Sequence, residues 1–383
     1  MDKQNTKVLV VDDDPFIRDM LAAILESSGY SVDTAENGAE ALKKYNPDAG
    51  IGLIISDMNM PEMNGLELIK KIRGSGSDVP IIILTGNNEI SVAIDAMNSG
   101  ASDYLLKDEN IQDTIILSAK KVLEKDQLKR QNLRLMADLA VKNEKFEKER
   151  IFASKVQKNI LPNKIDFKNF DIRTFYRPSD SLGGDFYDAW ETGRTLHFVV
   201  GDVSGHGIAA ALLMAASKGM LNSLGQTMHT QQEVITATNR MLCDILGDSG
   251  MFLSLVYITF MKQKNEIQVL SAGHNPIFLM RGGEVRIIKS TGPVMGWDYD
   301  DYWEIERYPF NSGDSLFIYT DGLTEARNAK GDEFGENHLQ KLISRIKQDN
   351  AFVDNIFKEV SDFCSGIFFD DVTMFAIRRF GDE

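Results

Sequence analysis

The sequence predicts a multidomain protein: a doubly wound α/β domain with a parallel sheet, a helical linker, and an α+β domain in which a sandwich of sheets is flanked by helices. Three observations predict it. Residues 1–118 alternate short apolar runs with amphipathic stretches of helix length. Residues 119–160 contain neither Pro nor Gly. Residues 161–383 place strand-like runs at both ends around interior helical patterns.

In the first segment the apolar runs are VLVV (8–11), SVDTA (31–35), GLIIS (52–56), PIIIL (80–84) and DYLL (103–106). Alternation of strand and helix argues for parallel strands covered on both faces. Asp14 can cap the first helix, and Pro15 suits its first turn.

The second segment carries twelve Lys/Arg against six Asp/Glu, a local charge of +6 in a chain of −15. Apolar residues recur in heptads: Leu128, Leu135 and Val156 at one position, Leu139, Phe146, Ala153 and Ile160 at the other. Asn132, Lys142 and Glu149 interrupt the seam. A helix over 110–160 would span roughly 75 Å. Propensity alone does not stabilise so long an isolated helix. The expectation is therefore a parallel coiled-coil homodimer through 120–160, with a single helix packed on its own domains as the alternative. Pro162 ends the helix.

The third segment opens with FDIRTFYRP and LHFVVGDVSG, continues through a helical stretch at about 208–246, and returns to strands at MFLSLVYITF, EIQVLSAGH, IFLMRGGEVRII and DSLFIYTDG. Two helical patterns and a last strand, VTMFAIRR, close it. Met214 and Met220, with Leu212, Leu213, Ala216 and Leu221, form an apolar helix face expected in the core.

Composition narrows the function. With 43% apolar and 26% charged residues the chain has the make-up of a soluble globular protein. Its acidity makes nucleic acid a poor partner. Two cysteines without a CxxC pair argue against a zinc site or a disulfide framework. The N-terminus lacks a signal peptide's apolar core, and no run approaches the roughly 18–20 apolar residues of a membrane span. A cytoplasmic protein with neither membrane nor nucleic-acid partner is expected.

Ligands of a parallel α/β sheet sit beyond the carboxyl ends of its strands. Asp12 and Asp13 follow VLVV, Asp57 follows GLIIS, Thr85 follows PIIIL and Lys107 follows DYLL. Three close carboxylates repel one another unless a cation is present, and oxygen-only ligands suit Mg²⁺. A metal-bound Asp57 could then attack a phosphoryl group, with Lys107 offsetting charge on the transferred oxygens. A lone Asp after a strand is usually a cap or turn residue; matching groups at four strand ends are not. VVDDD, SDMNMPEMNGLEL, ILTG and ASDYLLKD resemble the motifs of response-regulator receiver domains, over nearly all of 1–118. The resemblance implies strand order 2-1-3-4-5 and a sensor histidine kinase as partner. It implies Asp57 as phosphoacceptor and Asp12 and Asp13 as Mg²⁺ ligands, with the backbone carbonyl of Asn59. Thr85 is then the switch hydroxyl, Tyr104 the rotating aromatic and Lys107 the charge partner.

The C-terminal segment repeats the pattern. Asp185 lies in SLGGDFYDAW, Asp202 in VVGDVSGHG, Asp321 in LFIYTDGLTEA, and Asp370 and Asp371 precede the last strand. Acids at strand ends beside glycine turns suit hard divalent ions, and a pair of such ions promotes in-line attack of water on phosphorus. QKNILPN, SLGGDFYD, GDVSGHGIAAALLMA, LSAGHNP, YTDGLTEARN and FDDVTMFAIRR resemble the PPM metal-dependent Ser/Thr phosphatases, in the branch of the stage II sporulation protein E-like phosphatases, across 157–383. The resemblance implies two Mn²⁺ or Mg²⁺ ions, with Asp202 bridging them and Val203 giving a carbonyl. It makes Asp321 and Asp370 ligands of the second ion, Asp185 a ligand directly or through water, and Asp371 a supporting partner. It also implies a phosphoserine or phosphothreonine substrate on an anti-sigma-factor antagonist. His206, in the glycine loop, is a weaker candidate acid; His274 reads as structural.

Two rival functions remain: a silent phosphatase-like adaptor, against which the retained acids speak, and a DNA-binding regulator, for which no basic helix-turn-helix pattern follows residue 160.

Overall fold

The computed structural model describes residues 6–46, 50–86 and 90–381. It divides into two compact units, Met1–Asn143 and Glu144–Glu383.

The first unit contains β1 (Lys7–Val11), α1 (Pro15–Ser27), β2 (Ser31–Ala35), α2 (Gly38–Lys44), β3 (Ile51–Asp57), α3 (Gly65–Gly74), β4 (Ile81–Thr85), α4 (Ile90–Asn98) and β5 (Asp103–Leu106). All strands pair in parallel, in the order β2-β1-β3-β4-β5. Asp14 caps α1 by accepting from the Phe16 N–H at 2.8 Å, with Pro15 in the first turn. Because both faces of the sheet are covered, its central strands β1, β3 and β4 are near-continuous apolar runs rather than alternating: Leu9 and Ile54 pack with Leu68 and Ile72 of α3, while Val10 and Ile55 pack with Leu21 and Leu25 of α1.

Helix α5 (Ile111–Ile160) is continuous over 50 residues, as the absence of helix breakers predicts. Ile115, Ala119 and Val122 at its start belong to the first unit's core. From 127 to 149 every residue is exposed, and Leu128, Leu135, Leu139 and Phe146 are each more than half exposed.

The second unit contains β6 (Phe170–Arg177), β7 (Phe186–Thr192), β8 (Thr195–Val203), α6 (Ile208–Thr227), α7 (Gln231–Leu246), β9 (Leu253–Met261), β10 (Glu266–Ala272), β11 (Ile277–Arg281), β12 (Glu284–Ile288), β13 (Glu306–Pro309), β14 (Ser315–Tyr319), α8 (Glu336–Ile343), α9 (Phe352–Phe363) and β15 (Val372–Arg379). Two antiparallel sheets, β13-β10-β9-β8-β7 and β12-β11-β14-β15-β6, form a sandwich. Tyr187, Phe198 and Ile258 of one sheet meet Leu316, Ile318 and Phe375 of the other in a common core. Helices α6 and α7 extend that core, and α8 and α9 build a second one on the outer face of the other sheet.

Four expectations are corrected. The helical stretch 208–246 is two helices, interrupted at Met228 and restarted by a capping box between Thr230 and Glu233. Strands β7 and β13 were not among the predicted runs. Leu212 is 68% exposed and so lies outside the apolar face that buries Leu213, Met214 and Leu221. And α6 does have the length and apolar character of a membrane span, with mean hydropathy 1.3. That character serves the domain core, into which its buried face packs.

Candidate functional site

Three strands of the first unit deliver acids or their partner to one sheet edge. Asp12 and Asp13 follow β1, Asp57 ends β3, and Lys107 follows β5. One oxygen from each of Asp12, Asp13 and Asp57 lies within 4.8 Å of the others. Lys107 Nζ stands 2.8 Å from Asp12 Oδ2 and 2.9 Å from Asp57 Oδ1. Burial lifts the Asp57 carboxyl above the usual range, more than Lys107 lowers it. Burial also works against the charge on Lys107, but its bonds to Asp12 and Asp57 outweigh that and hold it above its ordinary value. Asp12 is fully buried, and its Oδ1 accepts from the Asp14 N–H at 3.1 Å. Asp13 and Asn59 are exposed, Thr85 is buried at the end of β4, and Tyr104 is half exposed on β5.

In the second unit the antiparallel pairings bring the acids to one end of the sandwich. Asp185 precedes β7 where β8 ends with Asp202 and Val203; Asp321 follows β14 where Asp370 and Asp371 lead into β15. Asp185 is buried, and its Oδ2 accepts from Thr320 Oγ1 at 2.7 Å and Thr373 Oγ1 at 2.6 Å. Burial, then Asp202 and Asp371, push its carboxyl well above the usual range. Burial and Asp321 push Asp202 up to about 7. Burial and Asp370 push Asp321 up to about 6, and burial raises Asp370 as well. Asp371 has a different task. Its Oδ1 accepts from the Ser179 N–H at 2.7 Å and Ser179 Oγ at 3.0 Å, and its Oδ2 accepts from the Gly184 N–H at 2.6 Å.

Close approach shapes this end of the sandwich. A Cβ on Gly183 would fall 2.2 Å from Asp371 Oδ2, and one on Gly322 would fall 2.2 Å from the Asp371 carbonyl oxygen. Only glycine lets the backbone come this near.

Divalent cations fit this donor set. Asp185 Oδ1 is buried with no donor, and burial, then the neighbouring Asp202 charge, push the Asp185 carboxyl up. Buried carboxylates that repel one another in this way are relieved by a cation between them. Among the described residues, three carboxylates converge within 4.8 Å only in the first unit. A groove of about 630 Å³ opens beside Asp370 and Gly322, lined by Arg327, Asn328, Ile367 and Phe369.

His206 is exposed and close enough to Asp370 to act on its charge. His274 is buried, with Nδ1 2.7 Å from Ser254 Oγ, and burial lowers it to about 4, so it stays neutral. Sequence reasoning missed Thr320, Thr373, Ser179 and Gln157. The two threonines had a signal, since each stands one or two positions from a candidate acid.

Residues 8–118 match the family model of the response regulator receiver domain, and residues 192–380 match that of stage II sporulation protein E (SpoIIE). The chain joins a receiver-type domain to a SpoIIE-type domain. Protein IcfG of Synechocystis is 29% identical over 337 residues, which is 79% of this chain and 51% of IcfG, so the chain spans about half the length of that relative. Phosphoserine phosphatase RsbU of Bacillus subtilis is 29% identical over 234 residues, covering 59% of this chain and 69% of RsbU. The SiaA-PP2C domain of Pseudomonas aeruginosa shares the fold of the phosphatase-type domain. Its TM-score is 0.56 at 19% identity, over 62% of this chain and 98% of that one.

Proposed function

We propose that this chain is a two-component response regulator whose receiver, phosphorylated on Asp57 by a sensor histidine kinase, controls a metal-dependent phosphoserine/phosphothreonine protein phosphatase in the cytoplasm. The observation that carries the reading is the acid cluster at the end of the sandwich, whose carboxyls are pushed up by burial and by one another and which opens beside a groove of about 630 Å³. Asp202, with the Val203 carbonyl, Asp321, Asp370 and the open oxygen of Asp185 would hold two Mn²⁺ or Mg²⁺ ions. When bound, those ions activate water and offset charge on the phosphoryl oxygens. Thr320 and Thr373 fix the rotamer of Asp185, and Asp371 fixes the backbone that carries it. In the receiver, Asp12, Asp13 and the Asn59 carbonyl would hold Mg²⁺. Lys107 steadies Asp57, and Thr85 and Tyr104 respond to its phosphorylation.

The name of RsbU, a phosphoserine phosphatase, supports the reaction class. A phosphorylated anti-sigma-factor antagonist is the proposed substrate, and a homodimer through 120–160 the proposed assembly, on the strength of the exposed heptad residues. The test is release of phosphate from serine-phosphorylated antagonist proteins with Mn²⁺, with and without acetyl phosphate. Turnover that requires Mn²⁺ and changes with acetyl phosphate is expected. No turnover in any condition, with tight binding of the phosphoprotein, would favour the adaptor function instead.

A further inference from the structure

Gln157 lies three residues from the end of α5 and is 5% exposed. Its side-chain amide meets both backbone groups of Gly183: Nε2 donates to the Gly183 carbonyl at 2.6 Å, and Oε1 accepts from the Gly183 N–H at 3.2 Å. One helical heptad earlier, Arg150 NH1 grips both oxygens of Asp180 at 3.1 and 2.9 Å. Residues seven apart share a helix face, so one stripe of α5 holds the loop 180–183 at two points. That loop leads directly into Asp185. Its other side is closed: Gly184 donates to Asp371, and Gly183 leaves no room between itself and that carboxylate.

The two grips differ in strength. The Arg150 pair is partly exposed, and such pairs contribute little. The Gln157 pair is buried, and losing it leaves a buried N–H and C=O without partners. A planar amide meets both groups of one residue in only one orientation, so a shift of the helix by one residue, about 1.5 Å, separates them.

We propose that Gln157 is a positioning residue. Its amide fixes the Gly183–Gly184 backbone so that Asp185 keeps its place in the metal site only while the last turns of α5 keep their register against that loop. The inference rests on the metal-dependent phosphatase reading above and assigns to one residue the point at which the linker helix bears on the metal site.

The test compares Gln157→Glu, Gln157→Ala and Arg150→Ala in the full chain. An Asp13→Asn background weakens the receiver's own cation site. Mn²⁺ binding is measured directly from the free ion by electron paramagnetic resonance, beside the Tm without metal. Glutamate keeps the shape of glutamine, but its carboxylate cannot donate to the Gly183 carbonyl. The expected result is weaker Mn²⁺ binding by about 10- to 100-fold in Gln157→Glu and Gln157→Ala. Arg150→Ala should show a smaller loss, and kcat in Gln157→Glu should recover at saturating Mn²⁺. Mn²⁺ binding by Gln157→Glu equal to that of the parent would leave only a packing role and overturn the proposal. So would loss of the fold in this isosteric variant. A parent protein that binds no Mn²⁺ at these acids would instead overturn the phosphatase-site reading itself.

Discussion

The receiver and the phosphatase-type domain each gather carboxylates at strand ends, yet they balance the charge differently. In the receiver Lys107 lies 2.8 Å from Asp12 and 2.9 Å from Asp57, a built-in cation that offsets two of the three acids. In the other cluster no lysine or arginine is among the groups that perturb Asp185, Asp202, Asp321 and Asp370. Hydroxyls and backbone N–H groups are the donors there, and the carboxyls are pushed up by burial and by one another. On the proposed function, a group modified and restored in each signalling cycle benefits from a fold that stands with or without its cation, and a cluster that would hold two metal ions has no use for a competing ammonium.

The largest expected effect separates the two clusters. Asp202→Ala should lower Mn²⁺-dependent dephosphorylation by about a thousandfold while Asp57 still accepts phosphate from acetyl phosphate. Asp57→Asn should abolish that labelling, seen by intact-mass spectrometry. Robust turnover by Asp202→Ala would remove the basis for contrasting the clusters. Next comes their communication. Leu135→Asp with Leu139→Asp should give monomers by light scattering and should remove the response of phosphatase activity to acetyl phosphate. A monomer that still responds would mean that the receiver acts without a dimeric linker. A third change makes one cluster resemble the other. Lys107→Met leaves Asp12 and Asp57 uncompensated and should destabilise the receiver by about 2 kcal/mol, the loss for a buried pair discounted for the lysine's partial exposure. Mg²⁺ should recover part of it in denaturant titrations.

The smallest effect concerns pH. Asp202 at about 7 and Asp321 at about 6 lie above the unfolded carboxyl value of about 4. Across that window the metal-free fold binds more protons than the unfolded chain, so its stability falls as pH rises. With chelator present, the Tm of the phosphatase-type domain should be about 3 °C lower at pH 8 than at pH 5.5. Mn²⁺ at pH 8 should restore it, and Asp202→Asn should shrink the difference.

Much of this was legible in the sequence because acids at strand ends stand beside uninterrupted apolar runs. SVDTA, DYLL and VTMFAIRR are strands with the predicted bounds. Elements that use polar groups internally were hidden. Strand β7 carries Asp188 inward, where Lys218 Nζ and Asn222 Nδ2 satisfy it at 2.6 and 3.1 Å, so its alternation is masked. Strand β13 is four residues at a sheet edge and ends in Pro309. The break between α6 and α7 did have a signal, the Thr230–Glu233 capping box, but the apolar pattern on both sides obscured it. Leu212 has the right chemistry for the core and the wrong angle on the helix. Gln157 opens the QKNILPN motif, but its role could not be read there: a glutamine on a charged helix resembles any solvated one until Gly183 is placed beside it.

The close approach at Gly183 and Gly322 has a consequence for how this chain tolerates variation. Neither residue offers a ligand atom, yet at each the space for a methyl group is already taken, by the Asp371 carboxylate or by its carbonyl. In a deep mutational scan both positions should reject alanine as firmly as the ligand positions reject asparagine. A lineage whose SpoIIE-type domain had ceased to handle metal would be recognisable by side chains at these two sites as much as by lost aspartates.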